Sequence, residues 1–202
     1  ANAGPWFSLY MNASPTNHHG NTRQNLLDWL AQYRDSVGEA GAFCSKVLEQ
    51  LLGGPLSRKE SQVQLLQLLQ IMEGLSPDPR TVSCAMLWVA CQNGDDLQAW
   101  DEALPPGVRQ QLDELLRLKQ MESENIPPSA ERSAEGLRRL LLALVEDVRV
   151  VLIALAWQLV LLRLAKNTDS SARRLAHETM LIHAPLANRL GVWQLKWELE
   201  DL

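Results

Sequence analysis

HAPLANRLGVWQLKWELEDL, residues 183–202, is the run from which the rest of the chain is best read. Its local physics is simple. Pro185 suits a helix start, where its missing N–H would be unbonded anyway. Gly191 suits a helix stop, because glycine adopts the left-handed conformation without a Cβ clash. Leu195 and Leu202 bracket a final amphipathic helix whose Glu198, Glu200 and Asp201 stay in water. Taken alone, these features predict two short helices joined by a turn.

The bulk properties narrow the classes. At 202 residues the chain fits one domain with a mobile N-terminal segment. Hydrophobic residues make up 46%, enough for a sizeable core. A formal net charge of −5 argues against non-specific nucleic-acid binding. The three cysteines, Cys44, Cys84 and Cys91, are odd in number and lack CxxC spacing. They suit buried thiols in a reducing compartment better than a disulfide frame. Val150 to Leu162 carries no formal charge but is too short to span a bilayer, so it reads as a buried core helix. No secretory signal pattern opens the chain. These features together predict a soluble cytoplasmic protein. A start on Ala1 and an end on a fresh helix suggest a piece of a longer protein.

Residues 1–20 mix Asn, Pro, Gly and aromatics without period and read as a flexible segment. The adjacent His18 and His19 there make no convincing metal site. Asn21 or Thr22 caps a first helix with Leu26, Trp29, Leu30, Tyr33 and Val37 on its apolar face. A second helix runs from about Ala40 to Leu52 and ends at Gly53-Gly54-Pro55. Ser57-x-x-Glu60 forms a capping box for a third, to about Glu73. Its apolar set is Val63, Leu65, Leu66, Leu68, Leu69 and Met72.

Asp78 or Ser76 caps Pro79 to Gln92, with Val82, Ala85, Met86 and Val89 inward, and Asn93-Gly94 stops it. A short helix around Leu97 to Ala103 and another over Gly107 to Met121 follow. Residues 122–132 are polar, contain Pro127-Pro128 and read as a loop. The chain is helical again from Ser133 to about Lys166, with a bend near Asp147. Asn167-Thr168-Asp169 breaks it, and a helix from Ser170 or Ser171 reaches Leu181. No sustained period-two alternation competes, so the expected fold is an all-helical packed array.

The string 183–202, read whole, closely resembles the segment joining the hydrolase-like and synthetase domains of the long RelA/SpoT family. Those enzymes make and destroy the alarmones ppGpp and pppGpp. The likeness extends without a gap back to about Gly136, through RRLLLALVEDVRVVLIALAWQLVLLRLA. With more tolerance, through LQIMEGLSPDPRTVSCAML, it reaches about Gln64, so it covers about two-thirds of the 202 residues. The resemblance implies an HD-type metal-dependent phosphohydrolase fold over 21–182. It implies that 183–202 starts a linker to a synthetase domain.

In members that hydrolyse ppGpp, two His and two Asp hold a divalent metal, usually manganese, that polarises a water and a phosphate oxygen. A Glu-Asp pair assists, and an Asn contacts the nucleotide. These lie in an isolated His before a VAxIL-like helix, then LLHDVxEDT, then LADRLHNMR. Placed on those strings, the isolated His falls on Gln64 and the His-Asp pair on Trp88 and Val89. The Glu-Asp pair falls on Gln92 and Asn93. In the third string the Asp falls on Trp157, the Asn on Leu161, and a neighbouring His becomes Val160. By this correspondence every metal ligand and both acid/base carboxylates are absent. Trp and Val have no lone pair for a hard cation, and Gln is a weak neutral donor. The expected outcome is an aqueous pocket converted to apolar core, with no metal and no cofactor. HETMLIH fails the HExxH pattern because Leu181 stands where the second His would be. His177 and His183, six positions apart, do not face one another on a regular helix.

The pattern of losses resembles the RelA-like branch, whose parent proteins transfer pyrophosphate from ATP to GTP or GDP with Mg²⁺, on the ribosome and in response to uncharged tRNA. The implied role here is an inactive hydrolase-like domain that regulates the synthetase domain. Two alternatives are kept. A metal-dependent hydrolase with an atypical site would have to draw on Asp95, Asp96 or Glu146-Asp147. A non-catalytic guanine-nucleotide sensor would use Arg58-Lys59, which otherwise form an exposed first helical turn. No membrane partner and no direct nucleic-acid contact are expected. Trp193 and Trp197 would leave an apolar patch able to support weak homodimerisation.

Overall fold

The computed structural model describes residues 21–95, 100, 104–125, 147–165 and 170–201. The tail with His18-His19, the short helix over 97–103 apart from Trp100, residues 126–146 and the 167–169 break lie outside the described residues. So do Asp96, Glu146 and Leu202.

The described chain is helical throughout, with no strand. In order it runs α1 (Thr22–Val37), a 3₁₀ turn (Gly38–Gly41), α2 (Ala42–Gly53), α3 (Lys59–Glu73), α4 (Pro79–Gln92), α5 (Pro106–Asn125), α6 (Val148–Leu164), α7 (Ser170–Glu178), a π-helical segment (Thr179–His183), α8 (Ala184–Arg189) and α9 (Trp193–Asp201). None of these helices is long and apolar enough to cross a membrane.

α4 is the axis of the domain. From Thr81 to Ala90 it carries no charge, and every one of those residues is buried. A helix that is apolar all round needs neighbours all round. α2, α3, α5 and α6 supply them. Its ends are well defined. Asp78 is the N-cap and accepts from the Thr81 N–H at 2.8 Å, with Pro79 at the first position. Asn93 caps the C-terminus, and Gly94 follows at φ 96°. α6 is the second buried helix. Its charges, Arg149 and Arg163, sit near its ends, and the residues between are almost all buried.

A charged clasp joins the starts of these two helices. Asp147 caps α6 by accepting from the Arg149 N–H at 3.0 Å. The Arg149 guanidinium binds Asp147 and also reaches across to Asp78, the cap of α4. Gln111 of α5 donates to Asp147 at 2.9 Å, and Glu114 accepts from the Asp147 N–H. The hydrogen bonds from Arg149 and Gln111 outweigh burial and hold the Asp147 carboxyl down at about 2. At Asp78, burial pushes upward, but the Thr81 hydrogen bonds and Arg149 prevail and lower it.

A depressed folded value stabilises above the unfolded value, near 3.9, and the gain is lost as pH falls through about 2. The expected result is that Asp147→Asn, which can still cap, lowers unfolding free energy by about 1–2 kcal/mol at pH 6. That gap should close steadily between about pH 4 and pH 2. Urea titrations of both proteins across pH check it.

Three local expectations need correction. Ser57 does not cap α3. The cap residue is Arg58, without a side-chain bond, because Gln62 donates to the carbonyls of Leu56 and Ser57 and turns that corner instead. Asp147 is not a bend in a continuous helix: its extended backbone (ψ 107°) starts α6 afresh. Residues 122–125 continue α5 rather than opening a loop, since no Gly or Pro stands before Pro127 to stop it. Pro185 stands in the first turn of α8, as its missing N–H suggested. The backbone runs on from α7 through the π segment into α8. Proline has no N–H to give, and the wider π turn accommodates its ring.

Candidate degenerate hydrolase site

The positions singled out from sequence lie on α3, α4 and α6, which pack against one another. Trp88 of α4 and Trp157 of α6 are 1% and 2% exposed. Their rings meet edge to face, with centroids 6.5 Å apart and planes at 88°. That is a favourable aromatic geometry, worth about 0.5–1.5 kcal/mol beyond area burial. Val89 and Val160 are fully buried, and Leu161 packs half-buried against the same core. The Trp88 indole N–H meets no acceptor among the described residues. A buried unpaired donor of this kind costs about 1–3 kcal/mol, so here packing outweighs polarity.

The polar positions come together at the rim. Asn93 donates to Gln64 at 2.9 Å and to the Val89 carbonyl at 2.8 Å. This neutral amide bridge ties α3 to the end of α4. Asn93 is exposed and Gln64 partly so. Gln92 is exposed and joins neither pair. The seven positions thus divide into an aromatic and aliphatic core (Trp88, Val89, Trp157, Leu161) and a polar rim (Gln64, Gln92, Asn93).

A hard divalent ion needs several carboxylate or imidazole donors at about 2 Å. The core offers indole and alkyl groups, and the rim offers amides. This donor set does not fit manganese. Among the described residues, no group of three or more His, Cys, Asp or Glu side chains could hold a metal ion. Asp147 is committed to the clasp, and it lies ten positions before Trp157, about 15 Å at 1.5 Å per step. Asp95 follows Gly94 just beyond the α4 cap. Arg58 and Lys59 are exposed at the start of α3, as a solvated first turn would be. All three thiols are free, with Cys44 and Cys84 buried. Burial and the nearby Asp95 push Cys91 up to about 11, so it is a poor nucleophile near neutrality.

Sequence reading missed two arrangements. One is the clasp, whose signal was an Asp immediately before each of two buried helices. The other is a buried hydrogen bond from Gln158 to Thr179 at 2.9 Å. Its signal was a lone Gln in an otherwise apolar run.

The described residues form an all-helical array with no strand, as an HD domain does, and comparison with known proteins agrees. The sequence model of the HD domain matches residues 44–193. The chain belongs to the HD-domain family, and over most of its length it is homologous to RelA/SpoT proteins. It is 30% identical over 192 residues to a GTP pyrophosphokinase of Photobacterium angustum, covering 90% of this chain and 25% of that protein. It is 32% identical over 175 residues to the GTP pyrophosphokinase of Escherichia coli K12, covering 83% and 23%. A Synechocystis protein named "probable guanosine-3′,5′-bis(diphosphate) 3′-pyrophosphohydrolase" is 48% identical over 79 residues, covering 39% and 10%. The chain therefore spans about a quarter, or less, of the length of these relatives.

Proposed function

We propose that this chain is a ppGpp-hydrolase-like domain that no longer hydrolyses ppGpp and that supports or regulates the synthetase domain of a longer, RelA-type GTP pyrophosphokinase. The observation that carries the reading is the Trp88–Trp157 contact, which fills with packed indole the place where a hydrolase would keep charged ligands and water. Homology to GTP pyrophosphokinases supports the family role.

In this reading the chain's own residues exclude rather than bind. Trp88, Val89, Trp157 and Val160 keep water out. The Gln64–Asn93 bridge closes the rim without charge. No step runs through a metal. Terminal helices α8 and α9, packed on α6 and the π segment, would carry the link to the synthetase domain. The parent would use Mg²⁺ for synthesis and would meet the ribosome and uncharged tRNA through other domains, in the cytoplasm. The net charge of −5 fits a domain with no direct nucleic-acid contact.

The test is ppGpp turnover by the purified chain with excess Mn²⁺. The expected rate is that of a protein-free control. Metal-dependent turnover would overturn the reading. The regulatory part has its own test, the synthetase rate of the parent with and without residues 1–180. Identical basal and ribosome-stimulated rates would remove that part and leave a purely structural domain.

A further inference from the structure

Thr179–His183 is a π-helical segment, and its buried side chains are unusual. Thr179 and His183 are 1% and 0% exposed, and Gln158 opposite is 1% exposed. Gln158 donates to the Thr179 hydroxyl at 2.9 Å, and that hydroxyl donates to the Leu175 carbonyl at 2.7 Å. Within the π segment the Ala184 N–H bonds five residues back, to the Thr179 carbonyl. Thr179 therefore holds both the start of the wide turn and its contact with α6.

A π turn carries one residue more than the α pattern, so closing it would turn everything downstream by about 100° and shift it by about 1.5 Å. Everything downstream here is α8 and α9, with Leu186, Ala187, Leu195 and Leu199 inward and Trp193 and Trp197 outward. Gln158 is the neighbour of Trp157, so the same helix carries the filled core and the grip on the π turn.

We propose that the Gln158–Thr179 hydrogen bond is the latch of a π-helical hinge that sets the rotation of residues 184–201 on α6, and that the segment opens as a local unit when the latch is broken. This inference does not depend on whether the domain hydrolyses ppGpp.

Amide hydrogen exchange of the whole chain, read by mass spectrometry, tests it. Thr179→Val keeps shape and removes the hydroxyl. Exchange over 179–189 should accelerate about tenfold or more, while α4 and α6 keep their protection. Thr179→Ser keeps the hydroxyl and should exchange as the unmodified protein does. Gln158→Met breaks the same bond from the other side and should reproduce the Thr179→Val pattern. The double variant should be no faster than either single one, because one bond can be lost only once. Should Thr179→Val fail to fold, Gln158→Met carries the test. Unchanged exchange, acceleration spread evenly over α4 and α6, fully multiplicative single effects, or failure of both variants to fold would each overturn the latch.

Discussion

Val89→Asp is expected to remove most of the stability of the fold at neutral pH. The family strings match this position to a metal-binding aspartate, and on the proposed reading that role is lost. Here Val89 is fully buried beside Trp88, on a helix enclosed on all sides. An aspartate side chain there would enter a core of buried apolar side chains.

Burial would push the new carboxyl pKa upward, so the protein would bear either an unpaired charge or an unpartnered acid. Breaking buried charge compensation costs about 3–5 kcal/mol in measured cases, and an uncompensated new charge belongs at the top of that range or beyond. Typical domains have only about 5–15 kcal/mol in total. Circular dichroism in urea should show a transition shifted close to zero denaturant. By contrast, Gln92→Asp at the exposed rim should stay within about 0.5 kcal/mol of the parent. If Val89→Asp matched Gln92→Asp, the interior would be a wet cleft and not a core.

The second large effect separates indole volume from indole polarity. Trp88→Ala should cost about 3–5 kcal/mol, through the lost contacts and the cavity left beside Trp157. For a chain of this size each kcal/mol lowers Tm by about 2–4 °C, so the melt should fall by about 6–20 °C. Trp88→Phe should behave very differently. It loses part of the apolar area but also removes a buried N–H that has no acceptor among the described residues. Those terms are of similar size, about 1–3 kcal/mol each, so the net change should be within about 1 kcal/mol. Equal losses for Phe and Ala would mean that the indole N–H has a partner that stabilises it.

Much of the fold was legible because helices announce their faces. Leu26, Trp29 and Leu30 recur at the helical period and are the buried side of α1. Pro79 marked a first helical turn with Asp78 or Ser76 as its cap, and the structure selects Asp78. The all-apolar stretch in α6 read as a buried helix because it was uncharged yet too short for a bilayer. Most of the misses depended on side-chain hydrogen bonds that helical periodicity does not announce. Ser57 lost its capping role to Gln62, whose amide reaches back to the Leu56 and Ser57 carbonyls. Asp147 became a true helix start only through Arg149, Gln111 and Glu114. The π turn depends on Gln158, twenty-one residues from Thr179.

The candidate site came from resemblance rather than from periodicity. Family strings placed Gln64, Trp88, Val89, Gln92, Asn93, Trp157 and Leu161 in one neighbourhood, and composition showed that these side chains carry no charge. How they would pack could not be read there. Two tryptophans could have lined an open, ligand-binding cleft as easily as they fill a core. The edge-to-face contact of Trp88 with Trp157, and the amide bridge that sorts Asn93 with Gln64 at the rim, belong to the fold alone.

Thermal unfolding of the purified chain, with and without saturating Mn²⁺ and ppGpp together, bears most directly on the central claim that the former metal site is packed core. Anything that binds the folded state alone raises its stability, by about 2.7 kcal/mol at a hundred times its Kd. The account predicts superimposable melts for the protein alone, with metal, and with metal and nucleotide. A joint rise in Tm of several degrees that needs both additions, and that disappears with a chelator, would contradict it.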